Sequence, residues 1–75
     1  MKETINYLLN SDLTVIYLMI DQFNLEQLQA MVEHEYLMRE QVKIEAENED
    51  ELKVANEILD KMYDPAKERI AQLSK

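Results

Sequence analysis

A chain of 75 residues with 16 Asp or Glu, 8 Lys or Arg, one His, one Pro and no Gly, Cys or Trp excludes several classes of protein at once. The length allows one small domain, residues 1–75. Without cysteine there is no disulfide and no thiolate zinc site, and without glycine there is no glycine-rich phosphate loop. A net charge of -8 opposes direct contact with nucleic acid or an anionic membrane, because both are polyanions that require facing cations.

A domain this short buries only roughly 60–65% of the surface that its unfolded chain exposes, yet 47% of its residues are hydrophobic. Such a surplus is best shared with another chain, so a homodimer is the expected state. The longest apolar run, Val15 to Ile20, is six residues, against the ~20 that a membrane-spanning helix needs. Met1-Lys2-Glu3 reads as a native start without a signal segment, and a cytoplasmic location is expected.

With few backbone breakers, the chain favours helices. Ile5, Leu8 and Leu9 give Glu3 to Leu9 a short helical face. Asn10-Ser11-Asp12 reads as a turn, with Ser11 or Asp12 as the next N-cap. Leu13 to Phe23 is apolar nearly all round, which predicts burial on most sides in a core or an interface. Asn24 and Gln27 have capping-box spacing. They open a stripe of Leu25, Leu28, Met31, Val32 and Tyr36 that continues through Met38, Val42 and Ala46. Asn48 with Glu51 forms a second such pair, ahead of an amphipathic run of Leu52, Ala55, Ile58, Leu59 and Met62. Asp64-Pro65 predicts a restart, Asp as N-cap and Pro in the first turn, followed by a short last helix with Ile70 and Leu73 inward.

One stretch also carries the pattern of a strand. Gln41 to Glu47 alternates polar and apolar residues, and the β-branched Leu13 to Ile20 segment could pair with it. The expected fold is therefore mostly α, a small helical domain with short terminal helices and one or two longer amphipathic ones. The alternative is a small α+β fold with strands near 13–20 and 41–47. Missing glycine favours helix, since strand connections commonly require positive φ.

No catalytic, cofactor or metal residue is expected. Glu33-His34-Glu35 lacks the second histidine of a metalloprotease helix, whose place is taken by Met38. The acids between Glu45 and Glu51 lack the glycine that a calcium loop requires. Ser11 and Ser74 have no nucleophile-elbow glycines around them. Tyr7, Tyr17, Phe23, Tyr36 and Tyr63 are not interleaved with cations, so they read as packing residues rather than as a base-stacking platform. Met19, Met31, Met38 and Met62 fall on apolar faces and suit a core or a site where a partner helix docks.

Charge is the uneven feature. Glu33, Glu35, Glu40, Glu45, Glu47, Glu49, Asp50 and Glu51 outweigh Arg39 and Lys43, leaving -6 in 19 residues. As one helix the segment would be ~28 Å long, with an acid every ~3.5 Å, close to the ~3.4 Å phosphate spacing along a DNA strand. These eight residues are the expected partner-binding set. They point to a non-enzymatic regulator or inhibitor whose acidic surface imitates nucleic acid and engages a basic, nucleic-acid-binding protein, by analogy with small acidic inhibitors carried by phages. The alternative is a helical adaptor or assembly module that binds through an apolar face drawn from Leu28, Val32, Leu52, Ile58, Leu59 and Met62.

Overall fold

A computed structural model describes residues 2–74, which form five helices and, among the described residues, no strand. They are α1 (Glu3–Leu9), α2 (Leu13–Gln22), α3 (Leu25–Glu33), α4 (Glu35–Glu45) and α5 (Glu49–Leu73). The fold is a small all-α domain. At ~1.5 Å per residue α5 alone spans ~37 Å, and it sets the long axis of a body measuring 41 × 21 × 17 Å.

The helix starts follow their side-chain chemistry. The Asp12 carboxylate accepts from the Thr14 N–H at 2.9 Å and caps α2. Asn24 and Gln27 form a reciprocal capping box at α3, with bonds of 2.8 and 2.9 Å. Asn48 accepts from Glu51 N–H at 2.8 Å to cap α5, while the Glu51 carboxylate accepts from the Glu47 N–H at 3.2 Å. The bonds from Thr14, Gln27 and Glu51 satisfy donors that the first helical turn leaves without a partner, and the Gln27 and Glu51 side chains reach back to the N–H groups of Asn24 and Glu47.

The expected mostly α fold is the one observed and the alternative strands are absent among the described residues, while the expected helix boundaries are corrected in two places. The stripe from Leu25 to Ala46 does not lie on one continuous helix: at His34 the N–H turns to the Met31 carbonyl at 3.1 Å, a tightened i−3 bond that separates α3 from α4. Residues 41–47 are not a strand, because α4 continues to Glu45. Period-2 alternation would put Val42 and Ile44 on one face; the helix buries Val42 and Glu45 and leaves Ile44 76% exposed. Residues 13–20 are also helical, their β-branched members notwithstanding, since packing of Ile16 and Ile20 outweighs a small propensity cost.

The second corrected boundary is at Asp64-Pro65, where no restart occurs. Pro65 lies inside α5, and Leu73 is exposed rather than inward. Proline there leaves the Lys61 carbonyl without its helical donor. The helix persists because its apolar stripe runs across the proline: Ala55, Leu59, Met62 and Tyr63 precede it and Ala66 follows, all buried.

That stripe is the core. Ile5, Leu8 and Val42 gather with Ala55, Leu59, Met62 and Tyr63 at one end, and Ile20 and Leu28 with Ala66 at the other. Ile16, Met31 and Val32 pack against both groups and join them. Pro65→Ala restores a backbone donor within an already packed helix. It is expected to raise unfolding stability by about 1–3 kcal/mol in urea titration, the interior-proline cost less the entropy that proline removes from the unfolded chain.

Candidate functional site

The eight mid-chain acids do not form one outward ridge. Glu45 is 8% exposed. Its Oε1 accepts from the N–H groups of Thr4 and Ile5 at 2.8 and 3.0 Å, and its Oε2 accepts from the Gln41 amide at 2.9 Å. It thus serves α1, whose own N-cap residue Lys2 supplies no side-chain bond. A carboxylate from α4 caps a helix forty residues away in sequence, and the positive end of that helix favours its charge.

Glu35 also turns inward. Its carboxylate receives Lys67 Nζ at 2.7 Å and Arg39 Nε at 2.8 Å, while Arg39 reaches Asn56 Oδ1 at 3.0 Å and Asp60 Oδ1 at 2.6 Å. This network ties α4 to α5. Glu51 pairs with Lys2 at 2.8 Å, and Glu47 reaches the same ammonium at 3.3 Å. Glu40 makes an exposed pair with Lys43 at 3.5 Å, of a kind worth little in water. Glu33, Glu49 and Asp50 stand exposed. Of the expected partner-binding set, Glu35, Glu45 and Glu51 are therefore occupied by the fold itself. Glu33, Glu40, Glu47, Glu49 and Asp50 remain at the surface, spread over α3, α4 and the start of α5.

The protonation behaviour follows from these contacts. Burial pushes the Glu45 carboxyl up, but the Ile5 and Thr4 N–H groups and Gln41 outweigh it and hold its pKa below the usual range. Burial likewise raises Glu35, and the bonds and charges of Lys67 and Arg39 overcome it, so its pKa is lowered. At Glu51 the Lys2 hydrogen bond leads and lowers the pKa against a smaller burial effect. Burial, with Glu35 nearby, raises the Tyr63 phenol.

The larger of two described concavities is mostly apolar. An open groove of about 730 Å³ lies between α2 and α4. Its floor is Met31 from α3 with Met62 and Tyr63 from α5. One wall is Ile16, Met19 and Ile20 of α2, with Phe23 beyond; the other is Leu37, Met38 and Gln41 of α4, with His34 before it. Glu3, Thr4 and Tyr7 of α1 close one end. The groove exists because α2 and α4 both pack on α5 without extensive contact with each other.

Helical spacing carries the apolar surface outward from both walls. Val15, Leu18 and Met19 share the outer face of α2, and Leu37 and Ile44 lie seven residues apart on α4, all exposed. The predicted burial of α2 on most sides is thus only half met: Ile16 and Ile20 face inward, and the opposite face is uncovered.

The apolar residues expected to meet a partner are mostly elsewhere. Leu28 and Leu59 are fully buried, Val32, Leu52 and Ile58 pack against the core, and only Met62 lines the groove. Leu37 and Ile44 escaped the sequence reading because they lie off the main stripe; their own seven-residue spacing was the available signal. Among the described residues no group of three or more His, Asp or Glu is placed to hold a metal ion, and no helix is long and apolar enough to cross a membrane. Comparison with protein-family models, curated proteins and solved structures found no match.

Two outcomes follow for the buried carboxylates. Glu45→Ala frees the Thr4 and Ile5 donors and is expected to lower Tm by about 5–10 °C, read by circular dichroism. Because the Glu35, Glu45 and Glu51 pKa values are lowered on folding, the unfolded chain binds more protons below the ordinary carboxyl value of 4.5. Their contribution is complete above that value and is lost as pH falls through the folded pKa values. Urea titrations at neutral pH and at about pH 3 should show this loss, and Glu45→Gln should make the difference smaller.

Proposed function

We propose that this protein is a non-enzymatic binding module that acts by receiving an apolar protein segment in the groove between α2 and α4. The observation that supports this reading is the uncovered groove itself, with Tyr7, Met19 and Leu37 exposed along its edges. Exposed apolar area grouped around a concavity marks an interaction surface, whereas isolated exposed side chains do not. Met19, Met31, Met38 and Met62 suit such a surface, since unbranched thioether chains adjust to the shape of what they meet. The two walls are helices, and a third helix of ~10–12 Å diameter is the natural filler of the gap, the mode in which an amphipathic helix seats its apolar stripe.

The charge supports a second reading. Glu47, Glu49 and Asp50 are exposed together around the start of α5, in a chain of net charge -8. In that reading these three, with Glu33 and Glu40, engage a basic nucleic-acid-binding protein and inhibit it by occupying its phosphate sites. The smaller surface set makes this the weaker of the two, and Glu49 and Asp50 already have a structural use in offsetting the dipole of α5.

The two readings separate under salt and substitution. A partner isolated on the immobilised protein and identified by mass spectrometry is expected to survive a high-salt wash. It should be lost from Leu37→Glu by about 100-fold in Kd, and retained within about threefold by a triple reversal of Glu47, Glu49 and Asp50 to Lys. The opposite pattern, with salt-labile binding lost on triple reversal and kept in Leu37→Glu, would establish the acidic surface instead.

A further inference from the structure

We propose that the occupant of the groove is helix α2 of a second copy of this chain, in a two-fold contact where each copy lays Val15, Leu18 and Met19 against Leu37 and Met38 on the α4 wall of the other. This rests on the groove being a docking surface for an apolar segment, and it names the segment.

The first argument is that α2 carries two apolar faces. Ile16 and Ile20 hold it to the core, and Val15, Leu18 and Met19 face away, at the i, i+3 and i+4 positions by which a helix enters a groove. Nothing in the fold uses that second face. The second argument is symmetry. Met19 is both part of the outward face and part of the groove wall, so ligand and receptor surfaces are contiguous on one molecule. A two-fold axis beside α2 places each copy's α2 in the other's groove and counts every contact twice, which is the condition for a closed isologous dimer.

The third argument is charge. Two chains of net charge -8 repel, so they can meet only where carboxylates are scarce. From Leu13 to Ile20 there is no charged residue, and the only acid lining the groove is Glu3, at its end. The fourth is area. A standard interface covers ~800 Å² per partner, about a seventh of the 5346 Å² surface of this molecule. Val15, Leu18 and Met19 of α2 and Leu37 of α4, together with Tyr7 and the groove floor, are the uncharged surface from which that area can be drawn.

The test is the oligomeric state of the full chain by sedimentation equilibrium, across a range of salt. The expected result is twice the 8.9 kDa chain mass, with Kd falling severalfold as salt rises, because salt screens repulsion between like-charged chains. A basic partner would show the reverse trend. Leu18→Glu and Leu37→Glu should each weaken the dimer by about 100-fold. Both positions are more than half exposed, at 57% and 61%, so helicity by circular dichroism should be unchanged.

The chain has no cysteine, which makes cross-linking unambiguous. Leu18→Cys mixed with Leu37→Cys should form a mixed disulfide joining α2 of one copy to α4 of the other. A dimer that survives both Glu variants and forms no mixed disulfide would overturn the inference, since the contact would then lie on another face. A monomer at all salt concentrations would overturn the second-copy assignment. A fluorescent, uncharged, Leu-rich amphipathic helical peptide then decides the rest. Binding that Leu37→Glu abolishes keeps the groove as a docking surface for another protein, and no binding removes that reading too.

Discussion

A single long helix offers one apolar stripe, and in this protein four shorter helices must share it. Ala55, Leu59, Met62, Tyr63 and Ala66 on α5 are the common floor for α1, α2, α3 and α4. Helices that pack on the same rod at ~8–10 Å separation need not meet one another. Here α2 and α4 take opposite sides of the stripe, and the space between them is the groove. The concavity is therefore a consequence of the α5-centred layout. Both of its walls are helices, with Phe23 and His34 from the connections beside them. Tolerance of Pro65 belongs to the same logic: with buried contacts on both sides of it, a single lost backbone bond does not divide the helix.

The acidic excess divides into charges that hold the fold and charges that face outward. Glu45 fastens the N-terminus of α1 to α4, Glu35 fastens α4 to α5 through Arg39 and Lys67, and Glu51 fastens Lys2 to the α5 start. Each joins segments far apart in sequence, so each has a long-range partner that no local pattern announces. A carboxylate accepting backbone N–H groups in a half-dry setting is held ionised by them, and protonation removes the attraction that placed it there. Such acids cannot face a partner at the same time. Those that remain, Glu33, Glu40, Glu47, Glu49 and Asp50, are dispersed over three helices, which dilutes any resemblance to a line of phosphates.

Local chemistry explains which parts of this architecture the sequence made legible. Asp12, Asn24 and Asn48 act on N–H groups two or three residues away, and all three caps are where their spacing puts them. The buried residues of α5 up to Met62 follow the helical period read along the chain. What was not legible was decided between segments. Ile44 alternates with Val42 in sequence, yet the register of α4 on α1 and α5 sends it outward. The break at His34 has no glycine or proline to mark it. Asp64-Pro65 carries the marks of a helix start, and continuous burial beneath it overrides them. The groove belongs to this second group, since its walls come from helices that do not follow one another in the chain.

The surplus of apolar residues and the surplus of acid act together. A chain of 8.9 kDa cannot bury every large hydrophobic side chain, and Val15, Leu18, Met19, Leu37 and Ile44 are left on the surface. Uncharged, such a molecule would associate through any apolar face. A net charge of -8, most of it carried between Glu33 and Glu51, penalises every arrangement that brings acidic surfaces together. The penalty is smallest along the Leu13–Ile20 stretch of α2, which carries no charge, and in the groove beside it, where Glu3 at one end is the acid in the lining. Whatever their direct contacts, the acids act as a restriction on geometry, disfavouring approaches that bring acidic surfaces together.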